Sequence, residues 1–307
     1  MRTQFRSWII RFSLLFVTTA PAFAEEVQPV IHATPAMWTI HGPRGTAYLF
    51  GSVHILPKNV EWQTPAIKNA IKRSNSFAFE LPMSDDRRTQ AALVFGANVL
   101  LPVSVSLPSY FDAEMRQEFR VAVEHTQLDP EDLVILRPWW AAKMFEDAMT
   151  GKAVLHADEG VDNKVYLLAK DRGVSDVRAF ETPEFQIQVL KGKANTKNEL
   201  SLLQAAMKRA AARPLVPFKK LMDAWAAGDT DAIASITFDS MSADEKKTII
   251  DDRNKDWVPR IEKMLKEKRT FFITVGAAHL VGPNGVPSLL RQDGYHVTGP
   301  DLPDQKS

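Results

Sequence analysis

The sequence predicts an α/β fold: a central mixed β-sheet flanked by helices, with a large helical insertion. Three observations predict it. Short aromatic and β-branched runs alternate with amphipathic stretches near both ends of the chain. Between roughly residues 84 and 241 the periodicity is mostly helical. An aromatic strand that runs into Gly-x-x-His occurs once near each end, at Gly51–His54 and Gly276–His279.

The elements follow in chain order. Residues 25–36 read as a loose arm. Residues 37–40 and 46–50 read as strands, joined through the turn residues Gly42, Pro43 and Gly45 into a β-hairpin. Residues 64–73 carry Ala66, Ile67, Ala70 and Ile71 on one helical face. A buried strand over 76–81 then completes a strand–helix–strand unit, which implies right-handed, parallel pairing. In the insertion, residues 112–126 and 198–212 have apolar residues at helical spacing. One island interrupts them: a helix over 162–172 closed by Gly173, then a strand over 174–180 leading to Glu181. Ser242 to Glu245 has capping-box form. A helix over 257–268, a strand over 270–275, a short helix over 286–293 and a last strand over 295–298 close the chain.

Residues 1–24 read as a cleaved secretory signal peptide. Arg2, Arg6 and Arg11 precede an apolar run over 12–20 that is broken only by Ser13, Thr18 and Thr19, and Ala22-Phe23-Ala24 has the small-x-small form of a cleavage site. A span needs roughly 20 apolar residues, and this run is shorter. The expected product is a periplasmic or secreted single domain over 25–307, with no transmembrane anchor after cleavage. It has 307 − 24 = 283 residues, ample for a buried core. Its balance is 38 − 3 = 35 basic against 37 acidic residues, with no basic patch, so a nucleic-acid partner is not expected. There is no cysteine. That excludes thiolate nucleophiles and disulfides, and leaves His, Asp and Glu to hold any metal.

The candidate chemistry sits at strand ends. His54 and His279 each emerge just past a buried strand, and Glu80 ends a third. In open α/β sheets, sites form beyond the carboxyl ends of strands. Two imidazoles and one carboxylate from separate strand ends suit a divalent metal with open positions. A lone G-x-x-H more often marks a hydrogen-bonded structural histidine, so the pair together with Glu80 carries the inference. Asp252-Arg253-Asn254 falls between two predicted helices. Arg253 there suits a substrate carboxylate or an oxyanion, although alone it reads as a solvated charge run. His156, Asp158 and Glu159 form a further ligand source, with a helix cap at Asp162 the plainer reading. Glu181 follows a strand, and Thr182-Pro183 reads as an N-cap with proline at the first helical position. His32, His41, His125 and His296 read as structural or surface residues, and Trp139 and Trp140 as packing.

These residues carry a resemblance. The chain resembles the TraB/GumN family, which includes the Tiki proteins of animals. The resemblance rests on Trp38-Thr39-Ile40, Tyr48 to His54, Phe79-Glu80, Gly160-Val161-Asp162, Glu181-Thr182, Arg253-Asn254 with Trp257, and Val275 to Gly282. It covers nearly the whole mature chain. It implies a divalent-metal-dependent protease that uses His54, Glu80 and His279, with Arg253 in support. The expected metal is Mn, Co or Zn, and the expected substrate a peptide or protein. Glu80 is either a ligand or the general base. The alternative is a non-catalytic periplasmic binding or assembly protein linked to polysaccharide or envelope processes.

Overall fold

The computed structural model describes residues 29–53, 56, 59–149, 160–192, 198–212, 218–239 and 241–300. The expected leader, His54, and the His156, Asp158 and Glu159 set lie outside the described residues.

The arm expected to be loose is paired. Ile31–His32 (β1) lies parallel to Val60–Glu61 (β4). The main sheet has six strands and is mixed. Met37–His41 (β2) and Thr46–Ser52 (β3) form the antiparallel hairpin that the turn residues predict. Pro65–Arg73 (α1) is capped by Thr64, whose side chain accepts from the Ile67 N–H, and buries Ile67, Ala70 and Ile71. Ser76–Phe79 (β5) follows.

The strand–helix–strand unit is parallel, as expected, but its strands are not neighbours. Thr270–Gly276 (β7) inserts between them, parallel to both. A strand from the far end of the chain completes the pairing that local sequence proposes. The island strand is shorter than expected, Val177–Ala179 (β6), and lies parallel to β5. His296–Thr298 (β8) closes the other edge against β2, antiparallel. The order is β6-β5-β7-β3-β2-β8. Four adjacent parallel strands therefore end on one edge, with Ser52 opposite Gly276, and Phe79 opposite both Thr274 and Ala179. Leu49, Phe50, Phe77, Phe79, Phe271, Phe272 and Ile273 are fully buried in this sheet.

The insertion has two parts. Asp85–Val99 (α2), Ala113–Thr126 (α3), Pro130–Val134 (α4), Pro138–Met149 (α5), Pro183–Lys191 (α7) and Glu199–Ala212 (α8) lie away from the sheet's own core. Phe119, Phe145, Leu203 and Met207 form a separate core among α3, α5 and α8. Val161–Asp171 (α6), Phe218–Ala227 (α9) and Thr230–Phe238 (α10) instead add Tyr166, Trp225 and Ile233 to the core of the sheet. Gly160, rather than Asp162, is the N-cap of α6.

The largest departure from expectation is at residues 243–265. Ala243–Lys246 (α11) begins with the expected capping box between Ser242 and Glu245. It continues without a break through a π-helical turn, Lys247–Asp251, into Asp252–Leu265 (α12). Arg253 is therefore inside a helix, not in a loop between two. The charged run Lys246 to Lys255 hides this, because its few apolar residues do not mark one continuous helical face. Val286–Gln292 (α13) packs beside α12.

Gly51 fixes how closely the turn after β7 approaches β3. A Cβ built there would lie 3.0 Å from Ala277 Cα and 3.1 Å from its Cβ. Gly51→Ala is expected to destabilise the fold by about 1–3 kcal/mol through overpacking. Thermal unfolding checks this, and an unchanged Tm would show that the approach is not constrained.

Candidate functional site

The parallel strand ends deliver the site. Glu80 follows β5, Glu181 lies two residues past β6, and His279 ends the short turn Ala277–His279 after β7. The Phe180 and Glu181 N–H groups donate to the Phe79 and Glu80 carbonyls at 2.9 and 2.8 Å, so the ladder continues past the strands and sets the two glutamates side by side. From one face, α12 supplies Arg253, Asn254 and Trp257, all buried.

Arg253 joins these groups. Its Nε and Nη2 donate to the two oxygens of Glu181 at 2.6 and 2.8 Å, a forked pair. Nη2 also donates to Glu80 Oε2 at 2.8 Å. Nη1 donates to the Ile249 carbonyl at 3.0 Å and lies 3.1 Å from His279 Nε2. A guanidinium has five N–H groups, and these contacts use all five. The guanidinium also lies 4.9 Å from the Trp257 ring centre. Trp257 Nε1 donates to Glu181 Oε1 at 3.1 Å, and its ring meets His279 and stacks on Phe180.

The site is electrostatically strained in one direction and relieved in another. Burial pushes the Glu181 carboxyl above its ordinary pKa, and Arg253 pulls it back without cancelling the shift. Burial also works against the Arg253 charge, but Glu80 and Glu181 outweigh it and hold the guanidinium above its ordinary pKa. Glu80 Oε1 accepts the Gly276 N–H at 2.6 Å. Glycine there leaves room for that contact, since a Cβ would lie 3.1 Å from the same oxygen. The glycine before each histidine thus serves close approach, as the sequence suggests.

The structure brings together Glu80, His279 and Arg253 from the sequence-predicted set. Glu80 Oε1 and His279 Nε2 are 4.0 Å apart, and ligands at about 2.0–2.2 Å from one ion lie at such spacings. His54 lies outside the described residues, but β3, which runs toward it, ends beside β7. The Val53 carbonyl that precedes it accepts the Val161 N–H at 3.1 Å, at the start of α6. Among the described residues, no group of three His, Asp or Glu side chains is arranged to hold a metal. The two donors present fit a divalent ion in type and spacing. One exchange is needed, because Nη1 of Arg253 faces the Nε2 lone pair that an ion would take.

Arg253 differs most from its sequence reading. It is buried, and its N–H groups are directed at Glu80, Glu181, the Ile249 carbonyl and His279 rather than at solvent. Sequence reasoning undervalued Glu181, Asn254 and Trp257. Glu181 carries the signal that singles out Glu80, a carboxylate just past a predicted strand. Asn254 and Trp257 enter the sequence reading only as part of the family resemblance, and their place beside Arg253 on one helix shows only in the structure. Near the site, the Ser52 and Thr274 hydroxyls are buried without a hydrogen-bond partner among the described residues.

Arg253→Met should cost about 3–5 kcal/mol, because it leaves the buried Glu181 carboxylate and the partly buried Glu80 carboxylate without their counter-charge. Both carboxyls would then have raised pKa values in the folded state. The stability they contribute is present below their unfolded pKa of about 4.3 and lost as pH rises through the folded value. The deficit should therefore be largest near neutral pH and shrink on acidification, as read by denaturant unfolding across pH. Arg253→Lys keeps the charge but offers three donors for five acceptor contacts, and should cost roughly 1–3 kcal/mol. A Tm unchanged in both variants would remove Arg253 from the centre of the site.

The model of the TraB/PrgY/gumN family matches residues 36–299, most of the chain and all of the elements that build this site. Searches of curated proteins and of solved structures return no match. The match begins just before β2 and ends just after β8, so it spans the whole six-stranded sheet together with the insertion. On that coverage, the chain belongs to the TraB/PrgY/gumN family.

Proposed function

We propose that this protein is an exported, divalent-metal-dependent hydrolase, a peptidase acting on peptide or protein substrates at the strand-end site. One observation carries the reading. Glu80 and His279, about 200 residues apart in sequence, are held 4.0 Å apart at the carboxyl edge of four parallel strands. His279 Nε2, Glu80 and, by sequence, His54 would hold the ion, of the Mn, Co or Zn type. Such an ion supplies Lewis acidity toward a carbonyl under attack.

The chain's own groups do the rest. Glu80 presents a carboxylate oriented by the Gly276 N–H and Arg253, fit either to ligate or to take a proton from water. Glu181 and Trp257 fix the guanidinium, so that Arg253 holds Glu80 in place. The helical insertion would shape substrate access.

A second reading is favoured by a specific feature. Arg253 satisfies itself on Glu80, Glu181, Ile249 and His279, as a structural core would. That suits a non-catalytic periplasmic binding or assembly protein. Elemental analysis after purification without chelator separates the two readings. The hydrolase should carry stoichiometric metal, or gain several degrees of Tm with Mn²⁺, Co²⁺ or Zn²⁺. It should also cleave members of an unbiased peptide library. Glu80→Gln and His279→Ala should each lower kcat at least 100-fold, a loss on the scale of general acid–base catalysis, which is about 10²–10⁴-fold. No metal, no thermal shift and no cleavage together sink the hydrolase and leave the binding protein.

Export has its own test. N-terminal sequencing of protein from the periplasmic or extracellular fraction should begin at Glu25. Bulk protein beginning at Met1 in that fraction would contradict cleavage.

A further inference from the structure

Asn254 is fully buried on α12, and its amide has four hydrogen-bonding positions, two donors on nitrogen and two acceptor lone pairs on oxygen. Its nitrogen lies 2.7 Å from the Asn284 carbonyl oxygen and 3.2 Å from the His279 carbonyl oxygen. Both partners only accept. The nitrogen end of the amide must therefore face them, which turns Oδ1 toward His279 Nδ1, 2.6 Å away. Oδ1 only accepts, so the proton in that contact belongs to Nδ1.

The other side of the ring gives the same answer independently. Nε2 lies 3.1 Å from Nη1 of Arg253, a group that only donates. Nε2 must accept, so it bears the lone pair. Both faces of the imidazole are thus read by groups whose polarity is fixed.

We propose that Asn254 is a positioning residue that holds the His279 proton on Nδ1 and presents the Nε2 lone pair to the Glu80 side of the site. That assignment concerns the ring alone. Its use in ion binding or proton transfer rests on the hydrolase reading. The same bonds anchor the end of the His279 turn, since the Asn254 amide also takes the His279 and Asn284 carbonyls. Orientation and tautomer are set by one side chain. A histidine that ligates through one nitrogen is commonly held at the other in this way.

The test is the ring itself. Long-range ¹H–¹⁵N correlation spectra of the full chain at neutral pH report the tautomer of each histidine, with His279→Ala identifying the resonance. The wild-type ring should show a protonated Nδ1 and an unprotonated Nε2. Asn254→Ala removes the acceptor, and the His279 signals should move toward an average of both tautomers. Asn254→Asp keeps an acceptor opposite Nδ1, and should retain the Nδ1–H form while lowering Tm through loss of the two amide donors. A wild-type ring protonated on Nε2 overturns the proposal. So does an Asn254→Ala spectrum that keeps the pure Nδ1–H form, which would assign the tautomer to Arg253 alone. Should Asn254→Ala fail to fold, Arg253→Lys decides: it removes the Nη1 contact at Nε2 and keeps Asn254, so a retained Nδ1–H form supports the proposal and a tautomer average overturns it. Correct tautomers in a chain without metal or cleavage would overturn the hydrolase and leave this assignment standing.

Discussion

A buried guanidinium demands acceptors for five N–H groups and a compensating negative charge. Taking such an ion out of water costs several kcal/mol even after relaxation. Arg253 meets both demands at once through Glu181, Glu80, His279 and the Ile249 carbonyl. Those acceptors come from β6, β5, the turn after β7 and the π-helical turn. The arrangement therefore locks four separate pieces of chain to one side chain. Removing that side chain would leave the buried Glu181 and the partly buried Glu80 carboxylates unpaired, which costs far more than the pairing gains.

The sheet supplies the precision that this contact needs. Parallel pairing places the ends of β6, β5, β7 and β3 on one edge, and register sets their relative height. Glycine at 51 and 276 then lets the next layer approach: the Ala277 backbone over β3, and the Glu80 carboxylate against the Gly276 N–H. The π-helical turn Lys247–Asp251 lies just before Arg253, and π turns inside α-helices recur at functional sites. Here it leaves the Ile249 carbonyl available to the Arg253 side chain.

The insertion divides its labour. Its distal helices have their own core around Phe119, Phe145 and Met207, so they fold as a unit beside the sheet. Its α6 and α9 are tied to β3 directly. Trp225 Nε1 donates to the Gly51 carbonyl at 2.8 Å, and the Val161 N–H donates to Val53. Both contacts fall on the segment that leads to His54.

Local chemistry determined much of this protein from sequence alone. Short aromatic and β-branched runs identified β2, β3, β5 and β7, and turn glycines identified the hairpin, because those signals are short-range. The Thr182 and Ser242 caps were legible for the same reason. Gly-x-x-His twice, with Glu80 between, pointed to one site. Tertiary structure decided three things that no local pattern encodes. It placed β7 between β3 and β5, a long-range pairing that depends on which strand buries the most apolar surface. It carried one helix through the charged residues 246–255, where contacts with α7 and the turn after β7, rather than apolar spacing, hold the π-helical turn. It made Arg253 a buried centre rather than a surface charge, because only the folded sheet brings Glu80, Glu181 and His279 close enough to neutralise and saturate it.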